Sequence, residues 1–210
     1  DQYRSASPFP HIVIDDFLDA DMLRQVMHDF PDTAGRNHFS RNQERLKYQF
    51  HPQECTGLAT RNLFAELNSQ ALLTFLSAMT GIKGLIADAY YNGAGLHETK
   101  RGGHLSIHAD FNRHAPMAVE RRLNLLIYLN EDWSESYGGA LELWDQEMAA
   151  CQVKAYPLLG RAVVFSTDLD SYHGHPDPLE CPPDRARRSV ATYYYTASDR
   201  TAGTDRSTNF

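Results

Sequence analysis

The spacing of apolar positions changes partway along the chain. In "FPHIVIDDFLDADMLRQVMHDFPD" a short apolar run precedes Asp19, and Met22, Leu23, Val26, Met27 and Phe30 then recur at helical spacing. The pattern predicts a strand, then a helix capped by Asp19 and stopped by Pro31. A second helical region carries Leu63, Phe64, Leu67, Leu72, Leu73, Phe75, Leu76 and Met79, with an interruption near Asn68 and Ser69 and an end at Gly81. The polar stretch between them, 33–56, lacks a clear period and is too long for a simple connector. It is expected to be an irregular lid over a site.

Beyond Gly84 the period drops to two. In "HLSIHADF", Leu105, Ile107, Ala109 and Phe111 alternate with His104, Ser106, His108 and Asp110, so one face is apolar and the other polar. Further β-like runs are "LIADAYY", "RRLNLLIYLN", "ALELWD", "CQVKAYP", "RAVVFS" and "SVATYYYT", punctuated by Gly, Pro, Asn and Asp. Many short strands behind two helical regions predict an α+β, mostly β fold: a double-stranded β-helix (jelly roll) core with the N-terminal helices packed outside. One domain over 1–210 accommodates this, with helical support and lid in 1–83, the jelly-roll core in 84–196 and a tail in 197–210.

Composition narrows the function classes. A formal charge of −7 disfavours a nucleic-acid backbone as partner, since that binding needs clustered basic surface. It is compatible with a cationic substrate. No apolar run approaches the roughly 20 residues that span a bilayer, so no membrane partner is expected. The opening "DQYRSASPFPHIVID" shows no basic start followed by an apolar block, and no secretory leader is expected in it. Cys55, Cys151 and Cys181 form no CxxC pair and read as reduced thiols of a cytoplasmic protein. Oligomeric state is left open.

The polar face of "HLSIHADF" carries the chemistry. Residues two apart on a strand face one way, so His108 and Asp110 project together, an imidazole and a carboxylate. A third ligand must come from elsewhere, and "FSTDLDSYHGHPDP" offers His173 and His175. Two histidines and one carboxylate suit non-haem Fe(II), leaving coordination positions open. Zinc is less natural, since its sites more often use three histidines or thiolates. An ordinary solvated sheet face would account for His108 and Asp110 taken alone.

Together, "HAD", "LNLLIYLNEDW" followed by "GGALELW", "RAVVFSTDLDSYH" and "RRSVATYYY" resemble, in order and spacing, the catalytic core of Fe(II) and 2-oxoglutarate-dependent oxygenases of the prolyl-4-hydroxylase-like branch. The resemblance covers about 84–196. It implies Fe(II), 2-oxoglutarate as cosubstrate and O₂, with His108, Asp110 and His173 as ligands, His173 being favoured over His175 by the short loop from Asp168. His104 then has a structural or substrate-side role. The resemblance also implies an arginine for the cosubstrate's distal carboxylate in R-x-S, here Arg187 with Ser189. Arg188 is the rival if the register shifts by one. Tyr128 would join the arginine, with Asn124 on the same inward face. The expected reaction is oxidation of a C–H bond, usually hydroxylation, in a polar small molecule. A peptide or protein prolyl substrate is the alternative, and a non-catalytic cupin-like metal-binding protein the reading from another class. The loop "NGAGLHETKRGG", with Tyr91 and the lid, is expected to supply specificity.

Overall fold

A computed structural model describes residues 2–167, 170–197, 207, 208 and 210. The predicted caps are present. Asp19 accepts a hydrogen bond from the Met22 amide and opens α1 (Ala20–His28). The second helical region is two helices, α2 (Leu58–Leu67) and α3 (Gln70–Thr80). Ser69 caps α3, and Gly81 closes it in the left-handed conformation at φ 80°.

Among the described residues the strands are β1 (His11–Ile14), β2 (Phe39–Ser40), β3 (Glu44–Phe50), β4 (Ile86–Ala87), β5 (Gly95–His108) and β6 (Arg113–His114), followed by β7 (Val119–Tyr128), β8 (Leu141–Trp144), β9 (Cys151–Ala155), β10 (Ala162–Ser166), β11 (His173–His175) and β12 (Ala186–Ala197). They pair antiparallel in the order β1-β10-β7-β12-β5-β11-β8-β9, a jelly-roll core. No described helix is long and apolar enough to cross a membrane.

Two sequence readings need correction. The stretch 33–56 is not irregular: β2 and β3 form a hairpin, and β3 runs along β5 from Glu44↔Leu105 to Phe50↔Leu96. The "NGAGLHETKRGG" loop is mostly strand, because β5 begins at Gly95. It pairs with β12 as far as Lys100↔Ala186 and with β11 from Leu105↔His175 onward. The handover lies at Gly102 and Gly103. Gly102 has φ +77°, and a Cβ on Gly103 would lie 2.6 Å from both the Arg45 carbonyl oxygen and Thr99. Only this bend lets one strand serve both halves of the roll.

Side-chain parity divides apolar support from chemistry. Leu123, Leu125 and Ile127 of β7, with Val190 and Tyr194 of β12, pack against Leu23, Val26, Leu63, Phe64, Leu67 and Leu76 of the helices. The alternate residues Asn124 and Leu126, with Arg187, Ser189 and Tyr193, face a cavity inside the roll. Burying the helical stripe at roughly 1.5–3 kcal/mol per large apolar side chain holds the outer layer on.

Candidate active site

The cavity, about 190 Å³, is lined by β3, β5, β7, β11 and β12. His108 ends β5, and its direct cross-strand partner on β11 is His173, which sets the two rings 4.5 Å apart. Asp110, two residues past His108, turns to the same space: its Oδ1 lies 3.6 Å from His108 Nε2 and its Oδ2 3.5 Å from His173 Nε2. All three offer ligand atoms within 4.8 Å of one another. Gly174 permits the close approach of β11 to β5, since a Cβ there would meet the Ser106 carbonyl at 2.7 Å.

Their tautomers are set by backbone. His108 Nδ1 donates to the Ser106 carbonyl and His173 Nδ1 to the Ser171 carbonyl, each at 2.9 Å, which turns both Nε2 lone pairs toward Asp110. Burial, opposed by Asp110, pushes His173 down to about 4. Burial also opposes ionisation of Asp110, but Arg121, then His173 and His108, outweigh it and hold the carboxyl well below the usual range. Two imidazoles and one carboxylate, mostly buried beside a cavity, fit a divalent metal ion with positions to spare.

Two residues buttress Asp110, and one of them was not legible in the sequence. Asn124 Nδ2 donates to Asp110 Oδ2 at 2.7 Å, and Arg121 sits 3.0 Å from the same oxygen. Arg121 also donates twice to Asn124 Oδ1 and lies over the Tyr193 ring, 3.5 Å from its centroid. Asn124 therefore serves the carboxylate rather than the arginine end of the cavity. "RR" at 121–122 carries no signal as to which arginine turns inward. Phe210 places its ring 5.2 Å from that of His108.

At the cavity's other end Arg187 is buried, donating from Nε to the Gly139 carbonyl at 2.7 Å and from Nη2 to the Tyr128 hydroxyl at 3.1 Å. Gly139, at φ +73°, is not merely a tight connection: a Cβ there would lie 2.6 Å from Leu179 and 3.1 Å from the Arg187 stem. Burial pulls the Arg187 pKa down, a cost that an anion in the cavity would offset. Ser189 also lines the cavity. Arg188, one residue on, points away, pairs with Glu98 and covers the Phe30 ring. Asp168, the start of the loop to His173, lies outside the described residues.

His175 lines the cavity beside Arg187, with its Nδ1 buried and unpartnered. Burial holds it well below its ordinary value. His104 instead bonds the Asn42 carbonyl at 3.0 Å, tying β5 to the β2–β3 hairpin. Because His173 and His175 resist protonation when folded, the unfolded chain binds more protons below pH 6.5, and stability falls as pH drops. The metal-free protein should lose up to roughly 1.4 kcal/mol per pH unit through His173 between pH 6.5 and about 4, and His175 adds a loss of the same sign. Urea midpoints at pH 7 and pH 5 check this, and His175→Gln should flatten the slope.

Comparison with known proteins gives the arrangement its family. The profile described as "2OG-Fe(II) oxygenase superfamily" matches residues 94–195. No curated protein sequence matches the chain. Among solved structures, the fold is similar to a Pseudomonas putida prolyl-4-hydroxylase, with TM-score 0.63 and 18% identity over 90% of this chain and 93% of that one. It is also similar to a Trichoplax adhaerens prolyl hydroxylase in complex with a hypoxia inducible factor oxygen degradation domain peptide, with TM-score 0.62 and 19% identity over 88% and 83%. HygX of Streptomyces hygroscopicus, with nickel and 2-oxoglutarate bound, aligns at TM-score 0.55 and 10% identity over 89% and 82%. Residues 94–195 thus match the 2OG-Fe(II) oxygenase superfamily, enzymes that use Fe(II), 2-oxoglutarate and O₂.

Proposed function

We propose that this oxygenase hydroxylates a C–H bond of a polar small molecule, with His108, Asp110 and His173 binding Fe(II) and Arg187 with Tyr128 gripping the distal carboxylate of 2-oxoglutarate. The observation that carries the reading is one cavity with the ligand cluster at one end and a buried arginine at the other. A simple metal-binding protein has no use for that arginine. When bound, iron and 2-oxoglutarate supply the oxidising chemistry: one O₂ oxygen goes to the substrate and the other to succinate, with release of CO₂. The chain's own contribution is position. Arg187 offers a charge-assisted donor fork, and Tyr128, buried beneath it, fixes the fork's plane.

The polar lining of the cavity supports a polar small-molecule substrate. Besides the cluster, its lining includes Glu44, Lys47, Gln49, His97 and Thr99, a surface suited to a hydrogen-bonding, charged guest. The HygX structure holding hygromycin B shows the same fold around a polar small molecule at TM-score 0.55. Free thiols at Cys55, Cys151 and Cys181 suit a reducing, cytoplasmic setting. Amino acids, amino sugars and proline-containing peptides, compared by substrate-stimulated succinate formation, test the reading. Turnover only with a long peptide or folded protein would overturn the small-molecule class and leave the iron and cosubstrate roles standing.

Arg121 should act on the metal through Asp110, since Arg121 and Asn124 both hold its Oδ2, the oxygen that lies 3.5 Å from His173 Nε2. Arg121→Gln is expected to weaken Fe(II) binding roughly 10–100-fold. Competition with a coloured Fe(II) chelator measures this. Unchanged affinity would remove Arg121 from the metal's support.

A further inference from the structure

Resting on the cavity reading above, a feature of β3 specifies the substrate more closely. Glu44 and Lys47 are three residues apart, so a regular strand would place them on opposite faces. They share a face because the β3–β5 register shifts between Arg45 and Lys47, with Leu46 at φ 50°. A bulge of this kind re-aims side chains, and a leucine in the left-handed region is strained by about 1 kcal/mol or more. The result is an acid and a base together in the cavity lining, 3.2 Å apart, with side chains only 13% and 12% exposed. Lys47 Nζ also lies 5.5 Å from the centroid of the Phe39 ring. Arg41 and Arg45 of the same hairpin do not line the cavity.

Position in the roll gives the pair its task. Lys47, Thr99 and Arg187 are successive cross-strand partners on β3, β5 and β12, so a second cation faces the cavity with one strand between it and Arg187. The cosubstrate's distal carboxylate is already matched by Arg187 and Tyr128. Glu44 lies opposite Leu105, whose other partner is His175, and so stands nearer the cluster's end of β5. A desolvated pair with unused donors and acceptors facing a cavity gains from a guest that completes both.

We propose that Glu44 and Lys47 are the specificity pair of this oxygenase and that they recognise a small zwitterion of the amino-acid type, its ammonium on Glu44 and its carboxylate on Lys47. The guest exchanges one internal ion pair for two.

The test uses the Fe(II)- and 2-oxoglutarate-loaded enzyme, with the proteinogenic L-amino acids as probes, each also as its N-acetyl and C-amide derivative. Substrate-stimulated succinate formation and 2-oxoglutarate half-saturation are the readouts. At least one free amino acid should stimulate the parent enzyme, and blocking either end should cost roughly 10–100-fold, the worth of a lost charge-assisted hydrogen bond. Glu44→Gln and Lys47→Met should each cost about as much, with 2-oxoglutarate half-saturation within about twofold of the parent, the scatter expected for an untouched site. The double exchange Glu44→Lys with Lys47→Glu restores an ion pair but reverses its polarity, and should not recover stimulation.

Recovery by the double exchange would make the pair a structural brace and overturn the proposal, as would stimulation that survives the single changes. A 2-oxoglutarate shift in Lys47→Met like that of Arg187→Ala would give Lys47 to the cosubstrate, against the proposal. Failure of every free amino acid to stimulate a parent that binds Fe(II) and 2-oxoglutarate would sink the zwitterion alone. Failure to bind them would instead sink the underlying cavity reading.

Discussion

Alanine at His108, Asp110 or His173 is expected to abolish Fe(II) retention and with it all 2-oxoglutarate turnover, whereas alanine at His175 or His104 should leave iron bound. The three ligand atoms lie within 4.8 Å of one another, and an open three-residue site has no spare donor. His175 shares the face of His173 but stands opposite Leu105 rather than His108, and His104 is committed to the Asn42 carbonyl. Iron content after anaerobic reconstitution and desalting checks this. Loss of iron from His175→Ala with retention by His173→Ala would move the site by two residues.

Arg187→Ala should raise the 2-oxoglutarate concentration needed for half-saturation by roughly 10–100-fold or more while iron stays bound, because a buried carboxylate loses a charge-assisted, two-point partner. Arg188→Ala should change it little, since its guanidinium is occupied by Glu98 outside the cavity. Tyr128→Phe should give a smaller rise of roughly threefold to tenfold, one neutral hydrogen bond's worth. Succinate formation titrated against 2-oxoglutarate separates the three. Equal effects at Arg187 and Arg188 would contradict the register Arg187↔Thr99.

What could be read from the sequence was local. The helices were legible because stripe and cap agree: Asp19, Ser69 and Gly81 mark ends that the apolar residues between them demand. His108 with Asp110 needed only the two-residue period. The choice between His173 and His175 is a matter of long-range register, His173↔His108, which no local pattern encodes. β3 escaped notice because its cavity face is charged and its bulge at Leu46 breaks the alternation that would reveal a strand. The early half of β5 was hidden for a related reason: "GLHETKRGG" fills an interior strand with His97, Glu98 and Thr99, whose partners are the Gly93 carbonyl, Arg188 and cross-strand residues far away in sequence. Arg121 lay behind a neighbouring arginine, and only the fold shows which of the two meets Asp110. Such departures from simple pattern cluster at the site, where chemistry rather than packing sets the residue.

In the proposed assignment one cavity holds Fe(II) on His108, Asp110 and His173 while Arg187 holds 2-oxoglutarate. Anaerobic titration of the metal-free protein with Fe(II) and then 2-oxoglutarate tests it most directly, through the weak visible charge-transfer band that a chelated 2-keto acid gives on Fe(II). The band should appear at one equivalent of iron in the parent, require a much higher 2-oxoglutarate concentration in Arg187→Ala, and be absent in His173→Ala. A band that persists unchanged in His173→Ala, or that never forms in a folded, iron-loaded parent, would overturn this assignment of the ligands and the cosubstrate.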